Sequence, residues 1–130
     1  MDRSGDWLRQ AEYDIQTAIG LAREGRHAWA CFVAQQSAEK SLKAVLEKMG
    51  LPSWGHDLIE LLRAIEQRLS FDNSLRESCH RLNLYYIAAR YPDAFSSGVP
   101  EDKFSKEQSA SALRDAQEVL VFASEAVHQQ

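Results

Sequence analysis

The sequence predicts an all-α protein folded as an antiparallel up-and-down bundle of four long helices plus one shorter helix. Apolar residues recur at intervals of three and four along almost the whole chain, which is the period of one helix face. No segment alternates apolar and polar residues with the period of two that a half-buried strand shows. The connections between the helical segments are short, and short connections favour antiparallel neighbours.

The first two predicted helices are separated by a glycine. The first begins near Asp6, which can cap it, and ends at Gly25. The second runs from about residue 26 to residue 49 and stops at Gly50 and Pro52. Their apolar faces comprise Leu8, Ala11, Ile15, Ala18, Ile19 and Ala22 in the first helix, and Ala28, Cys31, Phe32, Ala38, Leu42, Val45, Leu46 and Met49 in the second.

Three further helices complete the predicted bundle. His56 and Asp57 open the third, where an acidic residue suits the positive end of the helix dipole. The fourth must end at Pro92, and a long loop follows over residues 92–103. Ser105 then caps the fifth. The inward faces comprise Leu58, Ile59, Leu62, Ile65 and Leu69, then Leu75, Cys79, Leu82, Tyr85, Tyr86 and Ala89, and finally Ala112, Leu113, Ala116, Val119, Leu120, Ala123 and Val127.

Size and composition fit one globular domain over residues 1–130. The chain is 45% hydrophobic, and a chain of this length buries roughly two thirds of its surface without disulfides or a structural metal. It has no secretory signal pattern and no stretch of the ~20 apolar residues that a membrane span needs. We therefore expect a cytoplasmic protein without a membrane partner, in which Cys31 and Cys79 are buried, reduced thiols.

The net charge is mildly acidic, −4 at pH 7, which argues against a protein that coats nucleic acid through its phosphates. Positive charge is nevertheless concentrated in two segments, because residues 26–50 carry +2 and residues 76–100 carry +1. One small anion site between two helices is compatible with this distribution. The common metal and nucleophile motifs C-x-x-C, H-E-x-x-H and G-x-S-x-G are missing from the sequence, so we expect neither a metal nor a cofactor.

Polar residues form a stripe along the second predicted helix. Gln36, Glu39, Lys40 and Lys43 fall at helical spacing on one face. Such a stripe is typical of a solvated face with an internal ion pair, and it also suits a binding surface. Gln35 lies on the apolar face instead, where a buried amide needs partners on a neighbouring helix.

Two other positions have both a structural and a functional interpretation. His56 at the entry to the third helix is either a simple polar residue at a helix start or a donor to a phosphate held there. Arg90 is either a cation that complements the C-terminal dipole or the centre of a corner that binds phosphate and stacks bases. Tyr86, Tyr91 and Asp93 surround it in the sequence.

Taken together, these segments resemble the HEPN family, the small helical domains of prokaryotes and higher eukaryotes, over nearly the whole chain. The resemblance rests on Asp6-Trp7-Leu8, the turn from Ala11 to Asp14, Trp29-Ala30-Cys31-Phe32, Gln35-Gln36-Ser37-Ala38-Glu39-Lys40, His56-Asp57-Leu58, Tyr85-Tyr86 and Arg90-Tyr91-Pro92-Asp93-Ala94. The family implies a helical bundle, usually a homodimer, often encoded beside a minimal nucleotidyltransferase as a toxin and antitoxin pair.

Many HEPN members are metal-independent ribonucleases whose site resembles R-x(4–6)-H, and the arginine of that motif matches Arg90. The histidine has no counterpart, because the three permitted positions hold Phe95, Ser96 and Ser97. Phenylalanine transfers no proton, and general acid or base catalysis contributes about 10²- to 10⁴-fold in rate. We therefore expect the chain to be non-catalytic or only weakly active as a ribonuclease.

The preferred hypothesis is a homodimeric HEPN protein that binds a nucleotide or RNA near Arg90 and acts with a nucleotidyltransferase. In it Arg90 pairs a phosphate and Tyr86 or Tyr91 stacks a base. The other candidate binding residues are Lys40, Lys43, Glu39, Gln36, His56 and Asp93. Two alternatives stay open. One is a metal-independent ribonuclease with a non-standard base, His56 or His80 of the partner subunit. The other is a non-catalytic dimeric interaction module.

Overall fold

A computed structural model describes residues 1–129, and all regular elements in this range are helices. The α-helices are α1 (Ser4–Arg23), α2 (His27–Met49), α3 (Leu58–Glu66), α4 (Asn73–Asn83), α5 (Tyr85–Ala88), α6 (Pro100–Lys103) and α7 (Lys106–His128), with a short 3-10 helix (Pro92–Ala94) between α5 and α6. The predicted all-α class is confirmed.

The helix lengths differ from the prediction of four long helices and one shorter helix. Three helices have 20 or more residues, namely α1, α2 and α7, whereas α3 has 9 and α4 has 11. The predicted fourth helix is broken at Leu84, whose amide bonds to Arg81 in a tighter, 3-10 type turn. The long loop predicted over residues 92–103 also contains two short helical turns.

The predicted cap at Asp6 is wrong. Helix α1 begins at Ser4, because the Arg3 carbonyl already accepts hydrogen bonds from the amides of Asp6 and Trp7. Asp6 lies in the first turn instead, where its carboxylate forms an ion pair with Arg3 at 3.0 Å. The cap at Ser105 is confirmed, and its side chain and that of Gln108 form a reciprocal capping box.

Long-range hydrogen bonds define the directions of the main helices. The Arg3 amide donates to Glu47 at 3.1 Å and Ser37 donates to the Ala11 carbonyl at 2.8 Å, so α1 and α2 run antiparallel. Helix α7 packs on both of them and on α4. The largest fully buried apolar side chains of the resulting core are Leu42, Leu46, Leu58, Leu62, Ile65, Leu82, Val45 and Val119.

A buried carboxylate ties α4 to α7. Asp115 is 6% exposed and accepts two hydrogen bonds from the Arg81 guanidinium, both at 2.9 Å. The Ser78 hydroxyl lies between Asp115, at 3.1 Å, and Glu118, at 3.0 Å. The fork between Arg81 and Asp115 fixes both distance and orientation. It therefore sets the position of α4, the helix that leads into α5 and Arg90.

Both cysteines are buried and free, as expected. Burial raises the pKa of the Cys31 thiol to about 12 and that of the Cys79 thiol also to about 12, the latter assisted by the charges of Glu118 and Asp115. Helices of sufficient length and apolar character to cross a bilayer are not found between residues 1 and 129.

We predict that neither thiol reacts with a thiol-specific reagent in the folded protein at pH 8, because the thiolate is the reactive form and burial suppresses it. Both are expected to react once guanidinium chloride unfolds the chain. Mass spectrometry after brief labelling measures the number of adducts, and rapid labelling of either cysteine in the native protein would contradict the prediction.

Candidate functional site

Arg90 follows α5, and its guanidinium lies against three aromatic rings. Its central carbon is 4.4 Å from the ring centre of Phe32, 4.5 Å from that of Tyr86 and 4.8 Å from that of Tyr91. All three distances are within the range of cation–π contacts. Phe32 belongs to α2 and Tyr86 to α5, so the packing of α5 on α2 brings these two rings together around the guanidinium.

Local hydrogen bonds set the direction of the Arg90 side chain. Its Nε donates to the Tyr86 carbonyl at 2.8 Å, and Nη1 lies 3.4 Å from the Tyr91 hydroxyl. The Tyr91 backbone is extended, with φ −120° and ψ 128°, because the next residue is Pro92. This ends the helical geometry and leaves the Tyr91 ring over the guanidinium.

His56 joins the same assembly from the loop before α3. Its ring stacks on Tyr86 with the ring centres 4.4 Å apart and the planes 19° apart. We call Phe32, His56, Tyr86, Arg90 and Tyr91 the Arg90 cluster. It places an imidazole and a guanidinium against one tyrosine ring, a pair of groups able to exchange a proton and to bind an anion.

Glu39 holds His56 in place from α2. The His56 Nδ1 lies 2.9 Å from the Glu39 Oε1, and since a carboxylate only accepts, Nδ1 carries the proton and Nε2 is left free. Glu39 is 4% exposed, and its second oxygen pairs with Lys43 at 3.2 Å. Gln36 approaches the same carboxylate at 3.4 Å. The polar stripe is therefore a buried network at Glu39 and not a solvated face.

Gln35 is fully buried and fastens the His56 loop to α2. Its Nε2 donates to the His56 carbonyl at 3.2 Å, and its Oε1 accepts from Gln36 at 2.8 Å. The expectation of partners on a neighbouring helix is wrong in detail, because one partner is loop backbone and the other is on α2 itself. With Glu39, this amide fixes both the backbone and the ring of His56.

The two lysines of the stripe are neutralised by carboxylates. Lys40 Nζ lies 2.5 Å from the Asp14 Oδ2 on α1, and Lys43 pairs with Glu39. Lys43 also lies 5.8 Å from the centre of the Trp7 ring. These contacts hold α1 against α2 and leave the two lysines little charge to offer a phosphate.

Asp93 and Phe95 lie beyond the cluster. Asp93 is exposed in the 3-10 helix. Phe95, the first of the three residues at which the motif R-x(4–6)-H permits histidine, meets Phe104 edge to face with ring centres 6.5 Å apart. Lys103 lies over the Phe95 ring at 5.9 Å. Phe95 therefore has a packing role in the connection to α7.

Asp57 and Asn83 anchor the start of α3 to the end of α4. Asp57 is the N-cap of α3 and accepts from the amide of Ile59 and from the Asn83 side chain. Asn83 in turn accepts from the Leu58 amide at 2.9 Å. The Asn83 hydrogen bond is the main cause that lowers the pKa of Asp57 below its ordinary value, with the α3 amides contributing.

Sequence reasoning missed Phe32 as a member of the site. It belongs to the Trp29 to Phe32 segment that carries the family resemblance, and Trp29 packs on it edge to face at 5.6 Å. Its contact with Arg90 spans 58 positions of sequence, which no local pattern reveals. Across the described chain, no group of three His, Cys, Asp or Glu residues is arranged to hold a metal ion.

A family model described as the HEPN domain matches residues 4–126. The chain therefore belongs to the HEPN domain family, in agreement with the resemblance carried by its sequence motifs.

Named relatives and solved structures agree with this assignment. A Methanocaldococcus jannaschii protein named "Putative toxin MJ1304" is 24% identical over 123 residues, which cover 88% of this chain and 81% of that protein. The crystal structure of TT1696 from Thermus thermophilus matches 97% of this chain and 99% of its own, with a TM-score of 0.94 and 37% identity. The archaeal HEPN homologue ST0689 matches 98% of this chain and 99% of its own, with a TM-score of 0.83 and 27% identity.

We predict that Glu39→Ala moves the His56 proton away from Nδ1, because the carboxylate that selects this tautomer is gone. Nitrogen NMR of the imidazole is expected to show a protonated Nδ1 in the wild type at neutral pH and a larger Nε2–H population in the variant. Glu47→Ala, on the same helix, serves as the control. An unchanged tautomer in Glu39→Ala would show that Glu39 does not orient His56.

A second prediction concerns pH. The folded pKa of Asp57 is lowered, so its contribution to stability is present at neutral pH and is lost as the pH falls below the ordinary Asp value of about 3.9 and through the folded pKa. Asp57→Ala is expected to cost about 1 kcal/mol in the free energy of unfolding at pH 7. Urea unfolding at pH 7 and at pH 2.5 measures the difference from wild type, which should shrink in acid.

Asp57→Asn is the matched control for this prediction, because asparagine caps helices about as well as aspartate and does not titrate. It should lie close to wild type at pH 7. A cost of Asp57→Ala that is the same at both pH values would contradict the assigned role of the carboxylate.

Proposed function

We propose that this HEPN protein binds a nucleotide or RNA at the Arg90 cluster. In this proposal residues 1–130 act as one cytoplasmic domain, assembled as a homodimer and partnered with a minimal nucleotidyltransferase in a toxin-like role. The observation that carries this proposal is the environment of the Arg90 guanidinium. Three aromatic rings hold its guanidinium, while no carboxylate in the described part of the chain forms an ion pair with it.

An arginine without a carboxylate partner is well suited to bind phosphate. The Arg90 hydrogen bonds go to neutral acceptors, the Tyr86 carbonyl and the Tyr91 hydroxyl. The positive charge is therefore not cancelled, and the remaining N–H groups have the fork geometry that matches two phosphate oxygens. The aromatic contacts orient the side chain in advance, which reduces the entropy lost on binding.

Base stacking falls to Tyr91 rather than to Tyr86. His56 and Arg90 both lie against the Tyr86 ring, whereas of these two groups Arg90 alone lies against the Tyr91 ring, and the Tyr91 side chain is exposed. Base stacking on an aromatic ring contributes about 1–3 kcal/mol per base. Gln36 and Glu39 act through His56 in this scheme. Lys40 and Lys43 serve chiefly the packing of the helices.

Exposed apolar side chains support a homodimer that uses the face around the cluster. Trp29, Trp54, Leu84, Ile87 and Tyr91 are all exposed, and they belong to the segments that build or flank the Arg90 cluster. Several large apolar groups gathered in neighbouring segments are typical of an interaction surface. The toxin-like role is supported by the name of the Methanocaldococcus relative and by family membership.

A ribonuclease with a non-standard base is the second candidate. The observation in its favour is the ring of His56, which is stacked on the tyrosine that Arg90 also contacts and has its Nδ1 engaged by Glu39. The free Nε2 would be the atom that exchanges the proton. His80, the other histidine considered, is exposed in the last turn of α4.

We predict that Arg90→Ala weakens binding of a short fluorescent RNA or of ATP by about 10- to 100-fold, since a charge-assisted hydrogen-bond pair contributes about 1.5–3 kcal/mol. Fluorescence anisotropy and calorimetry measure the affinities. Arg63→Ala is the control, because Arg63 is exposed on α3 and pairs only with Glu60. Arg90→Lys, which keeps the charge, separates loss of charge from loss of fold.

The same RNA decides the second candidate. Cleavage by the wild type that is lost in His56→Ala would support the ribonuclease. Binding without cleavage supports the preferred function. If neither ATP nor RNA binds the wild type, or if Arg63→Ala weakens binding as much as Arg90→Ala, the proposed function is wrong.

A further inference from the structure

A surface cavity of about 480 Å³ lies where the end of α1 meets the starts of α2 and α7. Its volume is within the range of small-molecule sites, which hold roughly 300–1,000 Å³. None of its lining residues belongs to the Arg90 cluster. The lining comes from the last turns of α1, the start of α2 and the first two turns of α7.

The ionisable side chains of this lining are all basic. Arg23, His27 and Lys106 contribute them, and no aspartate or glutamate is present among the lining residues. Glu24, beside Arg23 in the sequence, is paired with Arg26 at 3.5 Å. Arg23 and Lys106 form no ion pair within residues 1–129. In a protein with a net charge of −4, this concentration of positive charge is a local exception.

His27 is held in a defined orientation. Its Nδ1 lies 2.8 Å from the Ser109 Oγ, and that hydroxyl donates to the Lys106 carbonyl at 3.0 Å. Because the hydroxyl proton is used on the carbonyl, the His27 Nδ1 is the donor to Ser109. This hydrogen bond fixes the plane of the imidazole in the cavity wall that Arg23 and Lys106 also line.

The start of α2 adds to the positive potential. Its N-cap residue, Arg26, provides no side-chain hydrogen bond to the first turn, and that turn contains no acidic residue. The first-turn amides therefore lack the usual compensation for the positive end of the helix. This helix end adds to the positive charge of Arg23 and Lys106 and does not define the site alone.

The rest of the cavity wall is apolar. Ile19 and Ala22 line it from α1, and Ala110 and Leu113 line it from α7. A bare inorganic ion would leave this surface wet, whereas a ligand with an apolar body would cover it. We propose that the cavity binds a small organic anion, a phosphate or carboxylate group carried on an apolar body, with Arg23 and Lys106 pairing the anion and the His27 ring forming part of the wall.

The test is a titration followed by amide NMR, carried out in the Arg90→Ala background so that the Arg90 cluster does not contribute. The probes are phenyl phosphate, benzoate, inorganic phosphate and benzyl alcohol. We expect phenyl phosphate or benzoate to shift the amides of the cavity lining and to bind at least 10-fold more tightly than either inorganic phosphate or benzyl alcohol. If phenyl phosphate and benzoate both bind tightly, the ligand class is an anion of either kind on an apolar body. If phenyl phosphate alone binds tightly, the ligand class is a phosphate ester.

The double variant Arg23→Ala, Lys106→Ala is expected to weaken this binding at least 10-fold. Its matched control is Arg9→Ala, Arg114→Ala, which removes two exposed cations from the same two helices without touching the cavity. The amide spectrum itself reports whether each variant is folded. The proposal is overturned if no probe binds, or if the shifted amides lie outside the cavity lining. It is also overturned if inorganic phosphate binds as tightly as the organic anions, or if the two double variants lose the same affinity.

Discussion

A polar side chain that is buried where helices meet has no water beside it, so it needs a protein partner. This constraint governs α2, which packs against α1, α3, α4, α5, α6 and α7. Its Ser37 donates to the Ala11 carbonyl, and its Glu39 engages Lys43 and His56. The loop before α3 is thereby held to α2 by hydrogen bonds as well as by apolar packing, and the position of His56 follows.

The Arg90 cluster depends on the same helix. Phe32 supplies one of the rings that hold the guanidinium, and Glu39 holds the imidazole that stacks on Tyr86. Aromatic rings restrict a cation without cancelling its charge, whereas a carboxylate would do both. The bundle therefore fixes Arg90 without cancelling its charge, and the buried ion pairs elsewhere serve the packing of helices.

Local patterns were sufficient to predict the all-α class and several helix ends. The cap at Ser105 and the left-handed Gly50 at the end of α2 follow from short-range rules. Asp6 shows the limit of these short-range rules. The amides of Asp6 and Trp7 donate to the Arg3 carbonyl, so the helix begins before Asp6. Candidate site residues could be named from motifs. The contacts among these residues could not be predicted from motifs, because tertiary packing sets the contact between Arg90 and Phe32.

Phe95 occupies the first of the three positions at which the motif R-x(4–6)-H permits histidine, and its ring packs on Phe104, which in turn meets Tyr85. Phe95 thereby ties the segment after α5 to the residue that precedes Ser105 and α7. A histidine at position 95 would replace part of this aromatic contact with a polar ring, so an imidazole placed here for proton transfer would weaken the packing of the connection.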